Sequence, residues 1–114
     1  MAEEISIWVG ESGAKYPYYV YERDLRVPKR MGIFIYSKKN DEDLWVPLFV
    51  AQGDLSLQAS ADRDLVARIE AKGATHIHLR VNSEALDRDS EVADILKRYH
   101  NAYEPEGCNI KEKA

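Results

Sequence analysis

Along the first 50 residues the chain alternates with a period of two. Ile5, Ile7 and Val9 alternate with Ser6 and Trp8, the signature of a β-strand, and Gly10-Glu11-Ser12-Gly13 reads as a turn. Residues 5–9 and 16–22 (YPYYVYE) therefore predict a β-hairpin, with Pro17 pushing the second strand toward a sheet edge because proline lacks a ladder donor. Residues 23–30 form a connector. A second hairpin follows, with Met31–Ser37 rich in β-formers, a polar tip at 38–43 and a return over Leu44–Val50. That tip is too long for a tight two-residue turn and leaves room for a bulge or register slack.

After Gln52-Gly53-Asp54 the period changes. Leu65, Val66 and Ile69 form one helical stripe closed by Gly73, with Ser60 as the expected cap. Thr75–Val81 alternates again, with Thr75, Ile77, Leu79 and Val81 on one face and His76, His78 and Arg80 on a half-exposed other face. From Ser83 to about Asn101, Leu86, Val92, Ile95, Leu96 and Tyr99 recur at helical spacing. The order predicts an α+β fold, a small, mainly antiparallel sheet flanked by helices with an extra N-terminal β-hairpin. The expected organisation is one domain over 1–114, with hairpin and basic connector at 1–30, the core at 31–109 and a flexible tail at 110–114.

Length supports a single core, since 114 residues suffice for one domain and not for two. No apolar run approaches the ~18–20 residues of a membrane span, and the acidic start Met1-Ala2-Glu3-Glu4 is unlike a secretory signal, so a cytoplasmic location without membrane contact is expected. Cys108 is the only cysteine, which excludes an intramolecular disulfide and a cysteine-based zinc site. It lies in a polar stretch without an evident base, which argues against a thiol nucleophile. The net charge of −4 opposes phosphate binding overall. Locally, Arg23, Arg26, Lys29, Arg30, Lys38 and Lys39 offer a candidate basic patch, against which stands the plainer reading of solvated loop charges. His76 and His78 offer two imidazoles to a metal without a third ligand nearby, and His100 suits the C-terminus of the long helix. Tyr16, Tyr18, Tyr19 and Tyr21 have the chemistry to stack bases, but alternation sends them to both faces of the sheet.

Five stretches taken together add a resemblance. They are Gly32-Ile33-Phe34; Trp45 to Ala51; Gly53-Asp54-Leu55 entering a helix; Gly73 to His78; and Arg88 with Ile95-Leu96 ahead of Pro105 to Asn109. Over residues 32–109 this pattern resembles the GIY-YIG nuclease superfamily. The resemblance implies a cleft bordered by two tyrosines and a bare glycine, a helix arginine on the scissile phosphate, and a glutamate on the last long helix holding a divalent metal. Carried over residue by residue, the tyrosine positions are Phe34 and Phe49, the glycine is Ala51, the arginine is Gln58 and the glutamate is Val92, while Asn109 stands at the terminal asparagine. Phenylalanine relays no proton, glutamine carries no charge and valine offers no oxygen ligand. The resulting expectation is a catalytically inactive domain without a cofactor, a non-enzymatic binding or interaction module of unknown partner. One alternative is a metal-dependent endonuclease using Mg or Mn through a rearranged site with Glu91 and Arg63, although each is rotated on its helix by roughly 100–140° from the aligned position. Another is a nucleic-acid binder acting through the 23–39 basic patch.

Overall fold

The computed structural model describes residues 4–23 and 26–110. Five strands, β1 (Glu4–Val9), β2 (Lys15–Glu22), β3 (Met31–Lys39), β4 (Trp45–Asp54) and β5 (His76–Val81), form one antiparallel sheet in the order β1-β2-β5-β3-β4. Two helices, α1 (Arg63–Ala71) and α2 (Ala85–Arg98), and a 3₁₀ turn at His100–Ala102 complete the α+β architecture. No helix among the described residues is long and apolar enough to cross a membrane. Of the tail expected to be flexible at 110–114, Ile110 is exposed and residues 111–114 lie outside the described residues.

The second hairpin forms as its alternation predicts, and β5 pairs with the other side of β3. Its slack resolves into a bulge. Tyr36 opposes Phe49 and Ser37 opposes Pro47, leaving Leu48 as the extra residue of β4. The N-terminal hairpin is an integral part of the sheet, because Tyr19–Glu22 of β2 pair with His76–Leu79 of β5. Pro17 therefore does not mark an edge strand. It is tolerated because the β2–β5 ladder stops at Tyr19, so no β5 carbonyl awaits its missing N–H.

Alternation along β3 divides the core. Ile33 and Ile35 face α2, joining Trp8, Tyr18, Val50, Ile95 and Ala102, whereas Phe34 and Tyr36 face α1, joining Leu55, Ile69, Ile77, Leu79 and Cys108. The two helices thus lie on opposite faces of the sheet.

Helix α1 starts later than expected. Asp62, not Ser60, is its cap and accepts from the Leu65 N–H at 3.0 Å, while Ser60 donates to the Leu57 carbonyl within the preceding turns. In α2, Leu86 is exposed instead of joining the apolar stripe, and Arg88, Glu91 and Ile95 are the buried positions.

The edge of β4 is covered. Cys108 N–H donates to the Leu48 carbonyl at 2.6 Å. The Asn109 side chain accepts from Val50 N–H at 2.8 Å and donates to the Val50 carbonyl at 2.9 Å, imitating a strand partner. Asn109→Ala is expected to cost about 2 kcal/mol, two net hydrogen bonds, read as a shift of the urea midpoint with unchanged slope.

Candidate functional site

The six positions aligned with nuclease residues do not share a cleft. Phe34 is buried, edge-on to Tyr36 at 6.0 Å and tilted against Phe49 at 6.3 Å, so both rings serve as core on the α1 face. Ala51 lies directly opposite Phe34 on the same face. Gln58 stands on no helix. The Asp54 side chain accepts from the Ser56 N–H and hydroxyl, turning the chain out of β4, and Gln58 follows in a left-handed conformation at φ 52°. The expectation that Gly53-Asp54-Leu55 enters a helix is thereby corrected. Val92 packs on the opposite face beside Leu96 and shares a groove with Gln52, Asp89 and Asn109.

Glu91 and Arg63 are also separated. Arg63 is exposed at the start of α1, whereas Glu91 is buried on the α2 face. There the Glu91 carboxylate accepts from the Tyr18 hydroxyl at 2.5 Å and from Arg80 Nε at 3.0 Å. Beside it the Tyr16 hydroxyl donates to Asp94 at 2.7 Å, and the Arg80 guanidinium lies 5.8 Å from the Tyr16 ring. Burial and the neighbouring Glu91 charge push the Tyr18 phenol well above its ordinary range. Burial, with the Asp94 hydrogen bond and charge, raises Tyr16 to about 12. These phenols stay protonated as donors at neutral pH. A tyrosine, an arginine and a glutamate thus meet on β2, β5 and α2, though with Tyr18 0% and Glu91 3% exposed the pair is closed to substrate.

His78 does not lie on a half-exposed face; it is fully buried. Its Nδ1 lies 2.7 Å from Ser6 Oγ and 3.2 Å from Trp8 Nε1, and its Nε2 lies 2.7 Å from Ser37 Oγ. Indole N–H only donates, so Nδ1 is the acceptor and Nε2–H donates to Ser37. Burial, reinforced by His76, lowers its pKa to about 3. A serine beside a histidine has the outline of a nucleophile and base, but an imidazole this reluctant to take a proton is a poor general base at neutral pH. The network explains why β1 turns Ser6 and Trp8 inward and leaves Ile5 and Ile7 outside.

An open cleft of about 470 Å³ lies on the α1 face. Val66 and Ile69 of α1 and Val27 supply apolar wall, and the Tyr36 hydroxyl, 3.4 Å from Gln58 Oε1, supplies a polar handle. Arg23 and Arg26 border it, Arg23 pairing with Glu70 at 3.7 Å. Burial raises the Tyr36 phenol, keeping it a donor. Sequence reasoning missed this cleft because its walls come from the connector, β3, the turns after β4 and α1.

The remaining candidates scatter. The Arg23 N–H bonds the Thr75 carbonyl at one end of the sheet, whereas the Arg30 carbonyl bonds Leu55 N–H at the other. Lys29 lies near Asp54, and Lys38 reaches toward Gly73. Lys39 pairs with Asp43 at 3.2 Å and sits 4.7 Å over the Trp45 ring. These six cations do not form one patch. His76 bonds Thr75, His100 is exposed in the 3₁₀ turn, and Cys108 is buried with a raised thiol pKa. Among the described residues no three His, Cys, Asp or Glu side chains gather as a metal site. Comparison with known proteins gave no matching family model, no matching curated protein and no matching solved structure.

Proposed function

We propose that this chain is a catalytically inactive, cytoplasmic binding domain of GIY-YIG-like design, with the α1-face cleft as its ligand site. The observation that carries this reading is the separation of the aligned positions, with Phe34, Phe49, Ala51 and Gln58 on the α1 side, Val92 on the α2 face and Asn109 at the β4 edge. A phosphoryl-transfer site needs its base, cation and metal ligand to converge on one phosphate. The cleft instead combines an apolar wall with the Tyr36 hydroxyl and, at its border, Arg26 and the Arg23–Glu70 pair. That composition suits a small ligand with an apolar body and an anionic group.

Two measurements test the proposal. Labelled single- and double-stranded DNA and RNA, incubated with Mn²⁺ or chelator, are expected to remain intact. In a thermal-shift panel of small aromatic carboxylates and phosphates, stabilisation is expected for the wild type and weakened at least fivefold in affinity by Arg26→Ala. A second reading, a rearranged metal-dependent endonuclease, rests on the meeting of Tyr18, Arg80 and Glu91 and requires this buried cluster to open. Chelator-sensitive cleavage abolished by Glu91→Gln would establish it and overturn the first.

A further inference from the structure

Among the described residues lining the α1-face cleft, the ionised side chains are Arg23, Arg26 and Glu70, two cations and one anion. The Tyr36 phenol adds no charge. Burial raises its pKa, opposed by a hydrogen bond from the Ala59 backbone and by the Arg23 charge, which therefore reaches the hydroxyl that a ligand would meet. Glu70 stands one turn beyond Val66, so the face of α1 that supplies apolar wall ends in a carboxylate. It lies 3.7 Å from Arg23, the two side chains being 55 and 30% exposed. A pair this open to water contributes little to stability. Its larger effect is on the field inside the cleft, where Glu70 cancels one of the two positive charges. A second negative charge on a ligand would find no cation to match it and would face the Glu70 carboxylate.

We propose that Glu70 sets the charge selectivity of the cleft, which takes small apolar monoanions, carboxylates or sulfate esters, and discriminates against phosphate monoester dianions. This rests on the reading of the cleft as a ligand site. Coulomb energy scales with the product of the charges. A carboxylate about 6 Å from a bound monoanion in water-like surroundings weakens binding roughly threefold, and it weakens a dianion by the square of that factor, roughly ninefold. Two probes isolate this effect from shape. Phenyl sulfate and phenyl phosphate share a tetrahedral aryl-ester frame, and at a pH of about 8, above the second phosphate ionisation near ~6, they differ by one charge.

Titration with benzoate, phenyl sulfate and phenyl phosphate at low ionic strength, followed by NMR through the methyl groups of Val66 and Ile69 in the cleft wall, tests this. The wild type is expected to bind benzoate and phenyl sulfate at least threefold more tightly than phenyl phosphate. Glu70→Gln, which keeps the size of the side chain, is expected to tighten phenyl sulfate roughly threefold and phenyl phosphate roughly ninefold. Asp64→Asn removes the same charge from the exposed first turn of α1, outside the cleft lining, and is expected to leave the ratio unchanged. Equal tightening of both esters by Glu70→Gln, an equal change of ratio in Asp64→Asn, or a wild-type preference for phenyl phosphate overturns the selectivity and leaves the cleft standing. If no probe shifts the methyl signals in either wild type or Glu70→Gln, the reading of the cleft as a ligand site falls, and the selectivity with it.

Discussion

His78→Leu is expected to lower the unfolding free energy at pH 7 by about 3 kcal/mol, because it removes the common partner of Ser6, Ser37 and Trp8 inside the sheet. Each orphaned buried polar group costs on the order of 1–3 kcal/mol, and the loss is moderated because Trp8 Nε1 keeps its bond to Ser6 Oγ at 3.1 Å. The substitution also changes how stability responds to pH. Folding lowers the His78 pKa from 6.5 to about 3, so between those values the unfolded chain binds the extra proton and acid favours unfolding. Stability from this group is full above pH 6.5 and falls as pH drops toward 3. Wild type is expected to lose roughly 2 kcal/mol from this source between pH 7 and pH 5, at 1.36 kcal/mol per pH unit. His78→Leu should remove that part of the slope. Urea unfolding of both proteins at the two pH values checks this, and an equal pH response in wild type and variant would sink the assignment.

Gly32→Ala is expected to be as damaging through a different cause. A Cβ at Gly32 would lie 2.2 Å from the Arg80 carbonyl oxygen and 3.0 Å from Leu55 Cδ1. The nearer obstacle is backbone of the paired strand β5, which moves only if the β3–β5 ladder opens. The expected cost is about 3 kcal/mol, at the upper end for overpacking, and a fall of more than ~10 °C in Tm. Gly53, its partner across β4, has no atom within 4 Å of an added Cβ, so Gly53→Ala meets only the strain of φ 146°. About 1 kcal/mol is expected there. Thermal unfolding of the pair separates crowding from backbone strain, and equal losses would contradict the argument.

The strands were legible because their period is local, and so was the bulge, which the long tip of the second hairpin permits. Which face of a strand turns inward was not legible. Ile5 and Ile7 are the more apolar pair in β1, yet Ser6 and Trp8 are inside because a histidine 70 residues or more away needs their hydrogen bonds. The same nonlocality hid Glu91. Its burial depends on Tyr18 and Arg80, brought under α2 by a β2–β5 pairing that no local pattern encodes. Gln58 was misplaced for a local reason, since the Asp54-to-Ser56 side-chain turn outcompetes the helical spacing that follows it. Asn109 aligned with a family position, but its bonds to Val50 make it a cover for a sheet edge.

The place of β5 between β2 and β3 has a kinetic consequence. Each hairpin closes over a short loop, whereas β5 must reach back past α1 and slide between two hairpins already made, like the last stave driven into a barrel. The slow step of folding is then this insertion, since long loops must close before their contacts repay the ordering. Conservative truncations within β5, such as Ile77→Val, should slow refolding in proportion to their cost. Equivalent truncations at Val50, on the outer strand β4, should chiefly hasten unfolding.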